Sequence, residues 1–341
     1  AYIVPREVVE SKHDFQRLPI GSGPLTVFKR EPGQYTILHP NPKYYAVAPE
    51  IDAVKISFVG EPTTQYTRLK QGELHLLENP PPAIFRELIN DNGQLHTKFR
   101  EQYHYHKNTQ LSTAFLGINI ERANAKQHPL ASRAARQALS AAIPRGQLRQ
   151  VALGCTPTQS LVPPALLLGR DTTSKTPGNK SIKWRKPLTL HIANTERRVA
   201  SFLQSMWQRA GIDVKIQEHQ GAALRNLVVN GEVTLWLASW VADYPDAESF
   251  YALAYGPLAA PDGPNRSRYH NADFDAAYNQ LIAGSAAPEQ LHAKMQAILA
   301  RDLPIIPLYH YSTHWILPKS VRGLRPSPSS LSLDLQHVEL E

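Results

Sequence analysis

Residues 187–242 read PLTLHIANTERRVASFLQSMWQRAGIDVKIQEHQGAALRNLVVNGEVTLWLASWVA, and the spacing of their apolar positions decides the fold class. Leu188–Ala193 alternates as a strand. Glu196–Ala210 puts Val199, Leu203, Met206, Trp207 and Ala210 on one helical face and is closed by Gly211. Ile212, Val214 and Ile216 alternate as a second strand. Ala222–Asn230 is a second helix ended by Gly231, and Val233–Ser239 is a third strand. This strand–helix–strand–helix–strand series is the unit of an open parallel sheet, so the chain is read as α/β. Ligands of such sheets bind beyond the carboxyl ends of the strands. Asn194-Thr195 follows the first strand and Trp240–Asp246 the third, which places both at that edge.

The third strand runs into residues 234–250, TLWLASWVADYPDAESF, where an apolar run ends in Asp243 and Asp246 flanking Tyr244 and Pro245. Asp243 is read as partly desolvated between Trp240 and Tyr244. Such a carboxylate pairs with an ammonium group through charge-assisted hydrogen bonds, and the aromatic neighbours suit apolar or cationic ligand parts. The competing role for either aspartate is a helix N-cap. Asp246, just before Ala247 and Glu248, fits a cap for a helix running from Glu248 into Leu253, which leaves Asp243 for a ligand. Catalysis is disfavoured: no nucleophile accompanies the two carboxylates, and no G-x-S-x-G, H-E-x-x-H, P-loop or G-x-G-x-x-G is present.

The chain has 341 residues, enough for two domains or one large discontinuous fold. Its 42% hydrophobic and 19% charged content is that of a globular protein. No apolar run has membrane-spanning length, and the start does not resemble a signal peptide. Cys155 is the single cysteine, which excludes an internal disulfide and a cysteine-based zinc site. The formal charge of +8 would suit a nucleic-acid partner. However, the densest cluster, Lys180–Lys186 (KSIKWRK), lies in the Pro/Gly/Ser/Thr-rich connection 154–187 without any nucleic-acid-binding pattern, so it is read as a solvated loop. Among fourteen histidines, His104 and His106 lie at i, i+2, and His310 and His314 at helical spacing. A metal centre needs three or four convergent ligands, so both pairs are read as solvated surface histidines and no metal or cofactor is assigned.

Elsewhere, Leu25–Arg30 and Gln34–Leu38 flank Glu31-Pro32-Gly33-Gln34 as a hairpin. Ala53–Val59 reads as a strand, Thr63–Gln71 as a helix, Glu73–Leu77 as a strand and Ile84–Asn90 as a short helix. Thr113–Ile120 is strand-like and Leu130–Ala142 helical, with a second helix starting near Arg145 after Pro144. Pro288 opens a helix whose Leu291, Met295, Ile298 and Leu299 share a face, and Ile305–Ile316 is strand-like. Trp207 and Trp236 are read as packing residues, and Tyr103 and Tyr105 as residues where the chain passes between its halves. The stretch 327–333 is Ser-rich.

Several segments, in order, resemble the peptide- and nickel-type extracellular solute-binding proteins, family 5, that serve ABC transporters. They are Pro19–Pro24 with Glu31–Gln34 and Asn41–Tyr45, then Arg68–His75, Gly117–Asn119 and Arg133–Arg145 (RAARQALSAAIPR). Ser239–Phe250, Tyr269–Asp275 and Asp302–Leu308 follow. Three departures from the family pattern are Pro144 before Arg145, His75 in place of an Asp, and Ala247 in place of a frequent Pro. The resemblance implies a two-lobed periplasmic-binding-protein-like fold of type II, with residues 1–107 plus 308–341 in a partial first lobe and 108–307 in the second. It implies an N-terminally truncated member, no enzyme activity, and a monomer that touches no nucleic acid. The implied ligand is an oligopeptide or similar small solute held between the lobes. Asp243 matches the carboxylate that holds a peptide's ammonium, and Trp240, Tyr244, Tyr105 and Asn194 complete the expected ligand set. The implied partner is an ABC permease, in the periplasm or extracellular space. A second resemblance is to the ligand-sensing domain of cytoplasmic transcription regulators similar to the sugar-phosphate stress regulator, which share the pattern at Arg322–Arg325.

Overall fold

A computed structural model describes residues 4–341 apart from 12, 16–17, 48, 91, 168–181, 183, 185, 325–334 and 336. The basic cluster 180–186 falls largely outside the described residues, as do most of the second half of the 154–187 connection, Arg325 and the Ser-rich stretch 327–333. From the N-terminus, helix α1 (Arg6–Glu10) precedes the antiparallel hairpin β1 (Leu25–Glu31) and β2 (Tyr35–Pro40), and β3 (Val54–Ser57) pairs on the far side of β2. Then come α2 (Pro62–Lys70), β4 (Leu77–Glu78) and α3 (Pro82–Leu88). The expected strand Glu73–Leu77 shrinks to Leu77–Glu78, because the Glu73 N–H is tied back to the Arg68 carbonyl at 2.9 Å as the helix ends.

The long strand β5 (Tyr103–Ile118) starts ten residues before the expected Thr113, since its first half is too polar to show an alternating apolar pattern. It is followed by α4 (Ile120–Ala125), α5 (Arg133–Ala141) and β6 (Thr156–Pro157). Near Arg145 there is a 3-10 turn, Arg145–Gln150, rather than a second α-helix. The Arg145 guanidinium explains this, bonding the Ser140, Thr158 and Pro307 carbonyls and Ser140 Oγ. The turn is held by that inward-facing side chain, and burial lowers its pKa to about 10.

Next come β7 (Leu188–Ala193), α6 (Arg197–Arg209), β8 (Val214–His219), α7 (Gly221–Val229) and β9 (Leu235–Val241). Helices α8 (Glu248–Tyr251), α9 (Ala272–Ile282) and α10 (Pro288–Asp302) lead to the long strand β10 (Ile305–Pro318) and the short pair β11 (Val321–Arg322) and β12 (Glu339–Leu340). The chain divides into two compact units, Ala1–Asn108 with Thr313–Glu341, and Thr109–Ser312, and passes between them within β5 and β10. The first unit buries Tyr66, Leu69, Leu77, Ile84, Leu88 and Ile316 in one cluster.

In the second unit the strand order is β10-β5-β9-β7-β8. Strands β9, β7 and β8 run parallel, as the periodicity predicts, whereas β5 is antiparallel to β9, so the sheet is mixed. Alternate residues enter two separate cores. Leu116, Ile118, Leu190, Ile192, Leu235 and Leu237 pack with α5 and α6 on one face. On the opposite face Phe115 packs with α8, α9 and α10, while Trp236 packs with α7. A sheet buried on both faces needs such apolar runs. Gly211 has φ of 77°, the left-handed conformation that lets α6 stop and the chain turn into β8.

Gly117 faces Trp236 across β5 and β9, and a Cβ there would lie 2.2 Å from the indole. Trp236 is 2% exposed and has nowhere to retreat. Gly117→Ala is therefore expected to destabilise the second unit by about 1–3 kcal/mol, the usual cost of overpacking. Hydrogen exchange of the β5 and β9 amides checks it; protection unchanged from the parent would show that the indole yields freely.

Candidate functional site

Strand β9 delivers the candidate residues. Pairing with β5 continues to Thr113↔Trp240 and Ser112↔Val241, so Trp240 lies inside the strand and only Ala242–Asp246 projects beyond it. This corrects the expectation that the strand ends at Ser239. The Trp240 indole turns back onto α8, where its Nε1 donates to Ser249 Oγ at 3.2 Å. The same oxygen accepts the Asp243 backbone N–H at 3.2 Å. Ser249 is buried and so pins the start of the loop to the strand.

The two aspartates divide the work. Asp246 Oδ1 accepts the Glu248 N–H at 2.8 Å, occupying a free amide at the start of α8, as its position before Glu248 predicts. Asp243 is exposed, as is Tyr244 at 50%. The expected partial desolvation of Asp243 is thus corrected: its side chain is exposed, and the Trp240 indole is bonded to Ser249 and packed against the α8–α10 core. An exposed carboxylate keeps its hydration until a ligand covers it.

Asn194 opens the 3-10 turn Asn194–Glu196 at the end of β7 and is also exposed. Because β7 and β9 are parallel, Asn194 and Asp243 stand beyond the same ends of neighbouring strands. Tyr105 belongs to the other unit, where its hydroxyl bonds His314 Nδ1 at 2.8 Å and its ring stacks on the imidazole. Burial pushes its phenol up to about 12.

His310 and His314 are buried in strand β10, not solvated and not on a helix, which corrects the reading of their spacing. Thr113 Oγ1 donates to the Leu161 carbonyl at 2.8 Å, so at 2.9 Å it must accept from His310 Nδ1. Burial lowers the His310 pKa to about 4, and the ring is a neutral packing element. Among the described residues, no three His, Cys, Asp or Glu side chains converge as a metal site.

The sequence reading passed over Ser249 and Glu196. Ser249 carries no signal, since its role depends on the fold returning α8 to β9. Glu196 reads as an ordinary first-turn acid, yet burial at this edge raises its pKa. Among the described residues no helix is long and apolar enough to cross a membrane.

The chain resembles several known proteins. The chain is 24% identical to a di/tripeptide-binding protein 2 of Pseudomonas aeruginosa, over 95% of this chain and 62% of the relative. It is 23% identical to heme-binding protein A of Haemophilus influenzae, over 91% of this chain and 58% of that protein. The chain therefore spans about three fifths of the length of these curated relatives. A crystal structure of a dipeptide-binding protein from a Pseudoalteromonas species, in complex with Met-Leu, shares the fold. Its TM-score is 0.72 at 18% identity, covering 99% of this chain and 69% of that one. Such neighbours are type II periplasmic binding proteins, and the mixed α/β sheet described above is of that class. The model for bacterial extracellular solute-binding proteins, family 5, matches residues 2–262, and the chain belongs to that family.

Proposed function

We propose that the chain is the ligand-binding module of an ABC importer's solute-binding protein, that it takes peptides with a free amino terminus, and that Asp243 holds the ammonium. The observation that carries this reading is the arrangement at the end of β9. Ser249 fixes the Asp243 backbone while the carboxylate stays exposed and accessible. The exposed Tyr244 flanks the peptide's first residue, Trp240 supports the loop from beneath through Ser249, and Asn194 offers an amide at the same sheet edge. Main-chain hydrogen bonds and water-mediated contacts would then grip the peptide without reading its side chains. The working location is the periplasm or extracellular space, next to a membrane permease that receives the ligand from a monomer. The peptide reading is supported by the di/tripeptide-binding relative. The heme-binding relative shows that members differ in cargo, and nothing in these comparisons favours the regulator reading.

The size of one substitution tests the assignment. A ligand that covers Asp243 turns a hydrated carboxylate into a desolvated partner. Asp243→Asn should then weaken dipeptide binding by about 1.5–3 kcal/mol. Acetylating the peptide's amino terminus should weaken the parent chain by a similar amount and the variant hardly further. Isothermal titration with Ala-Ala and N-acetyl-Ala-Ala reads both. A loss of only about 0–1 kcal/mol, typical of an exposed ion pair, or no binding of the amino-free peptide by the parent, would overturn the proposal.

A further inference from the structure

We propose that the first unit carries an oxyanion site of its own, a basic pocket formed by Arg100, His104 and Lys319 that takes a phosphate-type group. The pocket has a volume of about 360 Å³ and is walled by the turn at Gly93–Leu95, the start of β5 and the residue that follows β10. Its cations are held in place but not neutralised. Arg100 Nε donates to the Leu95 carbonyl at 3.1 Å and Nη2 to Gln94 Oε1 at 3.3 Å, which fixes the guanidinium and leaves Nη1 to donate. The Lys319 backbone N–H is anchored on the Gln102 carbonyl at 2.9 Å. Its Nζ donates to His104 Nδ1 at 3.2 Å, so the neutral imidazole carries its proton on Nε2. Among the described residues no carboxylate pairs with Arg100 or Lys319, whereas the neighbouring Arg322 is matched by Glu341 at 2.8 Å.

By contrast, Arg133 and Arg301 both pair with Asp302. Here Arg100 and Lys319, neither with a carboxylate partner among the described residues, line one concavity. Burial first, and then the Lys319 and Arg322 charges, lower the His104 pKa. An anion would relieve that field. The donor geometry points to its class. Arg100 keeps three of its five N–H donors, two on Nη1 and one on Nη2, because only Nε and one Nη2 hydrogen are engaged. Two positive charges, with N–H donors left over on both, suit the higher charge and the three or four oxygens of a phosphate-type group better than a single carboxylate. Tyr105 also lines the pocket, but its hydroxyl is committed to His314.

Titration calorimetry of the chain with inorganic phosphate at low ionic strength tests the site. Arg100 and Lys319 are exposed, so R100Q/K319Q should keep the parent's circular dichroism and Tm. The expected result is saturable binding that falls roughly tenfold or more in R100Q/K319Q, the effect of losing a charge-assisted bond. The charge-matched control K126Q/R209Q, at exposed positions of the other unit, should bind as the parent does, and acetate should bind more weakly than phosphate. Absence of saturable binding, an equal loss in both variants, or acetate binding as tightly as phosphate would overturn the proposal. Vesicles of phosphatidylglycerol separate the sources. Retention on them that R100Q/K319Q abolishes assigns the site to a lipid headgroup. Phosphate binding without vesicle retention assigns it to a free phosphate compound.

Discussion

Trp207→Ala is expected to destabilise the second unit by about 3–5 kcal/mol, the range for deleting a large buried aromatic side chain. Trp207 is 0% exposed and packs in the cluster that joins α5, α6 and β7. Its Nε1 also donates to the Leu139 carbonyl at 3.0 Å, so the indole ties α6 to the end of α5 as well as filling space. Trp207→Phe should lose less, since it restores much of the buried area but not the donor. Amide exchange in β7 and β8 gives the loss for this unit by itself, which global unfolding of a two-unit chain would blur. A loss below about 1 kcal/mol would mean the cavity collapses at little cost, against the size dependence seen for core truncations.

Asp302→Ala carries the second largest expectation. The carboxylate, 3% exposed at the end of α10, accepts the Tyr269 hydroxyl at 2.6 Å and the Asn271 amide at 3.2 Å, and pairs with Arg133 and Arg301 at 2.9 Å. Its backbone carbonyl accepts Arg136 Nε at 2.7 Å. Removing the carboxylate leaves the buried Tyr269 donor without its acceptor. The expected cost is about 2–4 kcal/mol, given roughly 1–3 kcal/mol for a buried unsatisfied group plus the weakened ion pairs. The same residue predicts a pH dependence. Burial pushes its pKa up, but the hydrogen bonds from Arg301 and Tyr269 and the charges of Arg133 and Arg301 outweigh this and hold it below the usual carboxylate value. A group whose folded pKa is depressed stabilises above its unfolded pKa and loses that contribution as pH falls through the folded value. Stability of the parent should therefore decline in acid more steeply than that of Asp302→Asn. Parallel acid curves for the two proteins would show that Asp302 is not the group responsible.

These residues also explain what the family-like segment at 133–145 contributes here. Arg136 donates to the carbonyls of Leu130, Ala131 and Asp302, and Arg145 to those of Ser140, Thr158 and Pro307. Both are clamps that satisfy backbone oxygens around α5.

The sequence alone determined the α/β series from β7 to β9, because strand and helix periods and the glycine at 211 are local properties written in neighbouring residues. It also identified Trp207 and Trp236 as packing residues, and Asp246 rather than Asp243 as the residue that closes the start of α8. Only the tertiary structure decided the rest. The early start of β5, the placement of Trp240 inside β9 and the burial of His310 and His314 all depend on which distant strand lies alongside. The exposure of Asp243 and the role of Ser249 depend on where the chain returns after leaving the sheet. The physical reason is the same for each. A residue's conformation follows mainly from its neighbours in sequence, while its hydrogen-bond partner and its access to water are set by segments remote in the chain.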